Sequence, residues 1–255
     1  MTSPTLAASL PPVKPIGFGT LLRVETRKMT DTRGGRGVLA AIVALALVVA
    51  VWQIFTVGDG SFTASNFMMG PVQIAAMLAP VIGLMAMTSE FTQRTALTTF
   101  TLAPRRLSVL LAKPLSAIAL TIATIAAAIL ISLAGAALAG AFSGEAVSYA
   151  GVGDTIRGFV LTAAMMSVLA AAIGTLIPQT AIAIAVYFIA PTAFSLLGMA
   201  VLKSADPWFN VFSAVERLSG GDPTAHLDQT LTAVLVWVVI PAVIGTVRAL
   251  RREVK

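Results

Sequence analysis

The sequence predicts an all-helical integral membrane protein with six membrane-spanning helices. Of its 255 residues, 57% are hydrophobic and only 11% are charged, and the mean hydropathy is +0.92. Soluble domains carry about 25% charged residues, so the composition excludes an ordinary water-soluble fold. Six separate apolar runs are each long enough to cross a hydrocarbon core of roughly 30 Å. The chain has no cysteine, which excludes disulfide bonds and thiolate metal sites.

The region before the first apolar run divides into a tail and an amphipathic segment. Residues 1–15 are rich in Pro, Ser, Thr and Ala and are predicted to be disordered. They lack the apolar core of a signal peptide. Residues 16–31 predict an amphipathic helix with Phe18, Leu22 and Met29 on one face. We expect this helix to lie in the cytoplasmic membrane interface, and the TRGGRG sequence at residues 32–37 to form the turn before the first span.

The six apolar runs make up a transmembrane domain over residues 38–247. The spans are predicted at residues 38–57, 67–88, 115–142, 155–177, 181–202 and 231–247. Only three residues, 178–180, join the fourth and fifth spans, which predicts a tight hairpin. Pro114 is expected near the start of the third helix, where its missing N–H costs little. Pro80, Pro191 and Pro241 fall inside spans and are expected to kink them.

The distribution of basic residues predicts the orientation. Fourteen of the 17 Lys and Arg residues lie in the two terminal regions and the loop at residues 89–114, and the other three are Arg157, Lys203 and Arg217. By the positive-inside rule, both termini and this loop are cytoplasmic, including the basic tail at residues 248–255. The net charge of +6 therefore indicates the topology of a multi-pass plasma-membrane protein in a lipid bilayer, and no nucleic-acid partner is expected.

The loop at residues 89–114 is the longest polar interval between two spans on the predicted cytoplasmic side. Residues 92–102 are compatible with a short helix, and Pro104 disfavours helical geometry at the residue before it. A helix held between two spans and surrounded by cations suits contact with a soluble partner. An ordinary positively charged cytoplasmic loop has the same composition, so composition alone does not distinguish the two.

The individual residues of this loop resemble the segment after the second span in permeases of type 2 ABC (ATP-binding cassette) transporters. The residues assigned to this coupling segment are Glu90, Arg94, Thr95, Leu97, Pro104, Arg105, Arg106 and Lys113. Arg94 stands where the family often has glycine. Before the first span, Glu25, Lys28 and Arg33 match the family as well. The resemblance to these permeases is strong over residues 20–115. After residue 115 it rests mainly on the hydropathy pattern.

This resemblance implies a function for the loop and a set of partners. The loop would be a coupling helix that docks on a separate ATP-binding subunit, and that subunit would bind ATP and Mg. A second permease subunit, identical or paralogous, would complete the transport pathway. No cofactor is expected in the chain itself.

Two absences from the sequence favour the same interpretation. No Asp, Glu, Lys, Arg or His lies in the middle of any apolar run, which argues against an ion-coupled carrier. The chain also has no GxxxxGK[ST] phosphate-binding loop and no catalytic constellation, so we do not expect an enzyme. Both absences favour a permease driven by another polypeptide, an exporter of an amphiphilic or hydrophobic substrate. The alternative is a non-transporting membrane anchor or sensor that recruits a cytoplasmic partner.

A stripe of polar and polarisable residues follows one face of the second span. Asn66, Met69, Gln73 and Met77 recur at helical spacing. They could line a substrate path, because methionine adapts to varied apolar ligands. They could equally join helices, with Gln73 bonding a neighbouring span. The sequence leaves both interpretations open.

The outer loop at residues 203–229 is too apolar for a plain connector. Its aromatic residues Trp208, Phe209 and Phe212 predict a segment that returns to the outer membrane interface. The resemblance implies short re-entrant helices that close an outer gate. Three residues of metal-binding type also lie close together in this loop: Asp222, His226 and Asp228. Because outer loops often contain such residues, no metal site is predicted.

Glu25 falls on the apolar face of the predicted interfacial helix. A carboxylate that faces hydrocarbon is costly, so it should reach water or meet a partner. It could pair with Lys28 three residues on, or with a cation of the loop at residues 94–113 or of the ATP-binding subunit. The resemblance, which includes a glutamate at this position, favours the second interpretation.

Overall fold

The structure is a computed structural model that describes residues 17–56, 63–92, 106–220, 224 and 226–252. Side chains are described throughout these ranges except at residues 90–92, 106–110 and 249–252. No strand occurs in these ranges. The backbones of Thr63 and Ser148 form an isolated β-bridge. The all-helical prediction is therefore confirmed for the described residues. The predicted disordered tail at residues 1–15 lies outside them.

The helices follow one another in a simple order along the chain. Their bounds are α1 Phe18–Asp31, α2 Arg33–Thr56, α3 Ala64–Met69, α4 Pro71–Thr92, α5 Arg106–Ser143, α6 Val152–Leu176, α7 Thr180–Val201, α8 Asp206–Phe209, α9 Val211–Ser219, α10 Leu227–Val234 and α11 Ile240–Arg252. A 3-10 turn, Lys203–Ala205, precedes α8, and a π-helical segment, Leu235–Val239, joins α10 to α11.

Within the described residues, six segments are long and apolar enough to cross a membrane, as the sequence predicted. They are Arg33–Thr56, Ala64–Ser89, Leu111–Ser143, Val152–Leu176, Thr180–Val201 and Leu227–Arg248. A span must satisfy its backbone hydrogen bonds internally, which is why runs of this composition form helices. The hairpin between the fourth and fifth spans is also present, because only residues 177–179 separate α6 from α7.

The second and fourth spans form the centre of the bundle. Their most apolar windows are 67% and 61% buried, whereas those of the first, fifth and sixth spans are only 17%, 22% and 22% buried. The first span packs through a narrow seam of small residues. Ala50 of this seam lies against Gly135 of α5, where a methyl group would sit 3.6 Å from the Ala50 Cβ. The three outer spans therefore leave most of their surface for lipid or for another subunit.

The turn between the amphipathic helix and the first span is shorter than the sequence predicted. Only Thr32 separates α1 from α2, and α2 begins at Arg33. The prediction of a break through residues 32–37 was therefore wrong for residues 33–37. The Thr32 hydroxyl accepts a hydrogen bond from Gly35 N at 3.0 Å, which satisfies one donor of the first helical turn. A side chain at Gly35 would overlap the Met29 carbonyl, so glycine allows this close turn.

Prolines affect three of the spans, and the effects at Pro114 and Pro71 were not predicted from the sequence. Pro114 was expected near the start of the third helix, but α5 already begins at Arg106 and continues through it. In the second span, the helix is interrupted at Gly70, immediately before Pro71. Pro71 has no N–H to continue the hydrogen-bond ladder of α3. In the sixth span, the π-helical segment ends two residues before Pro241, whose missing N–H similarly disturbs the local ladder.

The segment between the fifth and sixth spans packs back onto the bundle. In α9, Val211 and Ala214 are fully buried, and Val211 belongs to an apolar cluster with side chains of α4, α6 and α7. Of the three aromatic residues predicted at an interface, Phe212 packs against this cluster, while Trp208 and Phe209 are partly exposed. This packing agrees with a returning segment, and its position relative to the membrane remains a prediction.

Candidate functional site

The amphipathic helix α1 is held against the start of the third span. Met29 is buried at the interface, and the Ser116 hydroxyl of α5 donates a hydrogen bond to the Leu22 carbonyl at 3.1 Å. Phe18, which the sequence assigned to the same face, is 42% exposed at the end of the helix. The packed face of α1 therefore brings Glu25 directly towards α5.

Glu25 forms a three-residue ion-pair cluster with Lys28 and Lys113. Lys113 Nζ lies 2.7 Å from Glu25 Oε2, and Lys28 Nζ lies 2.8 Å from Glu25 Oε1. The Glu25 and Lys113 side chains are only 4% and 6% exposed, whereas Lys28 is 47% exposed. Each carboxylate oxygen thus has its own ammonium donor. Such charge-assisted hydrogen bonds are shorter and stronger than bonds between neutral groups.

The charge state of Glu25 follows from two opposing effects. Burial raises the pKa of Glu25, because a carboxylate loses hydration in an apolar environment. The ammonium groups of Lys113 and Lys28 lower this pKa, and their combined effect is larger, so the pKa lies below its ordinary value. The carboxylate is therefore ionised at neutral pH and compensates the buried charge of Lys113.

The two alternatives for Glu25 are both present in the structure. The local partner, Lys28, and the distant partner, Lys113, bond different oxygens of the same carboxylate. The ion pair with Lys113 joins residues 88 positions apart in sequence. Arg33, the third matching residue before the first span, is exposed at the first position of α2.

Most of the predicted coupling segment lies outside the described residues. This applies to Arg94, Thr95, Leu97, Pro104 and Arg105, and to the short helix predicted at residues 92–102 beyond Thr92. Glu90 lies in the last turn of α4 and Arg106 is the first residue of α5, and their side chains are not described. Lys113 is the coupling residue whose contacts are described, and it lies in the ion-pair cluster.

The polar stripe of the second span lies on the outside of the subunit. Asn66 and Gln73 are exposed, and Met69 and Met77 are 56% and 41% exposed. The rest of this helix faces inwards and is densely packed: Phe67, Met68, Val72, Ala75 and Ala76 are fully buried. These exposures place the side chains of the stripe largely on the outer surface of the described part of the chain.

Neighbouring helices flank the stripe at two levels. A side chain at Gly70 would collide with Val49 of α2, so α2 packs closely at this level. The Gln53 side chain of α2 donates a hydrogen bond from Nε2 to the Asn66 carbonyl at 3.3 Å. Further along, the Tyr187 hydroxyl of α7 donates to the Met77 carbonyl at 3.2 Å. The sequence analysis did not identify Gln53, although an amide within an otherwise apolar span was a usable signal.

A second polar cluster, also not identified from the sequence, joins α7, α8 and α9. Asn210 Nδ2 donates hydrogen bonds to Ser195 Oγ at 3.2 Å and to Asp206 Oδ2 at 3.1 Å. Asn210 Oδ1 accepts from Phe212 N at 3.0 Å and so caps α9. This cluster holds the segment that follows the fifth span in one position.

Asp222, His226 and Asp228 are the residues of metal-binding type that the sequence places close together in the outer loop. No group of three His, Asp or Glu residues suited to a metal ion occurs within the described ranges. Asp222 lies outside those ranges. Asp228 is near the start of α10, directly after His226, which has a left-handed backbone.

No family model matches this chain, and no curated protein matches it either.

Proposed function

We propose that this chain is the transmembrane permease subunit of an ATP-driven ABC transporter. A separate ATP-binding subunit would power it and would hold the ATP and Mg. A second permease subunit, identical or paralogous, would complete the pathway, and the cargo would be an amphiphilic or hydrophobic substrate that is exported. The proposal is supported by six apolar spans, by the resemblance over residues 20–115, and by the contacts of Glu25.

The observation that carries the proposal is the buried ion pair between Glu25 and Lys113. Lys113 lies seven residues after the first residue of α5, and the end of the predicted coupling loop, residues 106–114, forms the start of this helix. The helix is continuous for 38 residues, which corresponds to about 57 Å at 1.5 Å per residue. A displacement of the loop would therefore act on α5 along its length and, through the ion pair, on α1.

The absence of ionisable residues from the middle of the apolar runs supports an external energy source. Between Gly37 and Ser89, the described part of the chain has no Asp, Glu, Lys, Arg or His. Proton-coupled carriers and many ion-coupled carriers need such groups within the membrane. An ATP-binding partner that acts from the cytoplasmic side supplies energy without them.

The proposal is tested by purifying the tagged chain with its partners from native membranes. We expect an ATP-binding cassette protein to copurify, and the complex in liposomes to transport an amphiphile only with ATP. Glu90→Ala should leave membrane insertion and assembly intact but separate ATP hydrolysis from transport. Glu145→Ala, an exposed glutamate after α5, is the matched control and should transport normally.

Two results would contradict the proposal. If the chain recruits a cytoplasmic protein but no ATP-dependent transport occurs, the chain is a membrane anchor or sensor. If Glu90→Ala and Glu145→Ala both behave as wild type, the loop at residues 89–114 has no coupling role that depends on Glu90.

A further inference from the structure

The end of α4 that leads into the loop at residues 89–114 is joined to the first residue of α7. The Thr88 and Thr180 hydroxyl oxygens lie 2.7 Å apart, across 92 positions of sequence, and Thr88 is fully buried. A hydroxyl has one hydrogen to donate, and the Thr88 hydroxyl also lies 3.2 Å from the Leu84 carbonyl of its own helix. When Thr88 donates to Leu84, Thr180 donates to Thr88, so one chain of hydrogen bonds joins the two helices.

Little apolar packing holds α7 in the bundle. The most apolar window of this span is only 22% buried. A second hydrogen bond to α4 runs from the Tyr187 hydroxyl to the Met77 carbonyl, at 3.2 Å. Thr180 and Tyr187 are seven residues apart, so they lie on one face of the helix. Polar contacts with α4 therefore do much to position the first half of α7.

The opposite end of α7 is joined to the segment formed by α8 and α9. Ser195 Oγ accepts a hydrogen bond from Asn210 Nδ2 at 3.2 Å, and Asn210 also bonds Asp206 and caps α9. A side chain at Gly198 would overlap Asp206 Oδ1, so the Asp206 side chain packs directly on the α7 backbone. The fifth span is therefore attached to α4 at its first residue and to the α8–α9 segment in its last two turns.

We propose that α7 links the end of α4 to the α8–α9 segment, with Thr180 and Asn210 as the positioning residues at its two ends. The 22 residues of α7 extend about 33 Å at 1.5 Å per residue. The helix continues through Pro191, and a continuous helix carries a displacement of one end to the other. That an ATP-binding subunit causes such a displacement rests on the proposed function, whereas the link within the chain does not.

The test measures the position of the α8–α9 segment after the distant contact at Thr180 is removed. Because the chain has no cysteine, spin labels can be attached at Ser204→Cys, beside α8, and at Ala150→Cys, before α6, and both positions are exposed. Double electron–electron resonance of the full chain in nanodiscs gives the distribution of distances between the two labels. We expect Thr180→Val to widen this distribution at least twofold. Thr180→Ser keeps the hydroxyl and should leave the distribution unchanged.

Thr192→Val is the matched control on the same helix. Thr192 is exposed, and its hydroxyl donates to the Phe188 carbonyl of α7 itself, so this variant should not alter the distribution. Equal widening by Thr192→Val would contradict a specific role for Thr180. A second label pair, Gln73→Cys with Ala150→Cys, reports on α4 and α6 without α7 and should respond to none of these variants. A response of this pair to Thr180→Val would mean that the whole bundle loosens, which contradicts a link through α7.

A double-mutant cycle tests the contact between the two hydroxyls. Thr88→Val and Thr180→Val remove the same hydrogen bond. Together they should lower the midpoint of thermal unfolding by roughly 1–4 °C less than the sum of their separate effects. Thr88→Val and Thr192→Val share no contact, so their effects should add.

Two further results would overturn the inference. Additive effects of Thr88→Val and Thr180→Val mean that the two hydroxyls do not interact. A non-additive pair with an unchanged distribution between Ser204→Cys and Ala150→Cys means that the contact exists but α7 carries no displacement to the α8–α9 segment. Neither measurement needs an ATP-binding partner, so failure of this inference is distinguishable from failure of the proposed function.

Discussion

Replacing Glu25 with glutamine removes the charge that the buried Lys113 ammonium faces. The carboxylate and the ammonium are 2.7 Å apart and almost inaccessible to water. Removing one partner of a buried ion pair typically costs about 3–5 kcal/mol, because the other charge stays buried and loses this counter-charge. For a domain of this size, each kcal/mol shifts the unfolding midpoint by about 2–4 °C. We therefore expect Glu25→Gln to lower the midpoint by roughly 6–20 °C.

The matched control is Arg27→Gln on the same helix. Arg27 is highly exposed and pairs with Asp31, which is also solvent-accessible, so this substitution should have little effect. A double variant, Glu25→Gln with Lys113→Met, removes both buried charges. Replacing a whole buried ion pair with neutral groups is often tolerated, so the double variant should recover much of the loss. Thermal unfolding of the chain in nanodiscs measures all three variants.

The same ion pair predicts how stability depends on pH. Because the folded pKa of Glu25 is below the ordinary value of 4.5, its contribution is fully present above pH 4.5. This contribution is lost as the pH falls below that value through the folded pKa. The difference in stability between wild type and Glu25→Gln should therefore be constant above pH 4.5 and shrink below it.

The reasoning is refuted if Glu25→Gln and Arg27→Gln have equal, mild effects. Such a result would mean that Glu25 reaches water and that Lys28 alone satisfies it. It would also be refuted if Lys113→Met failed to rescue Glu25→Gln, because the cost would then not come from the loss of the Glu25–Lys113 charge pair. In the proposed transporter, Glu25→Gln should in addition weaken assembly with the proposed ATP-binding subunit or lower export, while Arg27→Gln should do neither.

Three other predictions test the topology and the packing. Cysteine at Ser148 should react with an impermeant thiol reagent from outside, and cysteine at Thr98 should not; labelling at Thr98 would contradict the six-span, termini-in orientation. Trp237→Phe removes the 2.6 Å hydrogen bond from the indole N–H to the Phe209 carbonyl. The free energy of unfolding should therefore fall by about 1 kcal/mol. Unchanged hydrogen exchange in α8 would count against this contact. Gly35→Ala should lower the free energy of unfolding by about 1–3 kcal/mol, because the added methyl group overlaps the preceding turn. A methyl group at Gly37 meets open space, so Gly37→Ala should be neutral or slightly stabilising.

The sequence alone predicted the features that depend on local composition and periodicity. The six spans agree with the structure. The helix predicted at residues 16–31 covers Phe18–Asp31, and the short connection predicted at residues 178–180 is formed by residues 177–179. A hydrocarbon core needs about 20 apolar residues, and an amphipathic helix repeats every 3.6 residues. Both requirements are met by neighbours in sequence, so they can be recognised without knowing how the helices pack.

The tertiary structure decided every feature that depends on which helices meet. Glu25 had a local and a distant candidate partner, and only the packing of α1 on α5 brings Lys113, 88 residues away, to its second oxygen. Helical periodicity identified the polar stripe, but the choice between an inward and an outward face required the positions of the neighbouring spans. Continuation of α5 through Pro114 was likewise hidden from the sequence, because a proline can begin a helix or be accommodated within one. Within a membrane every span is apolar on most sides, so hydropathy alone cannot distinguish a face that meets lipid from one that meets protein.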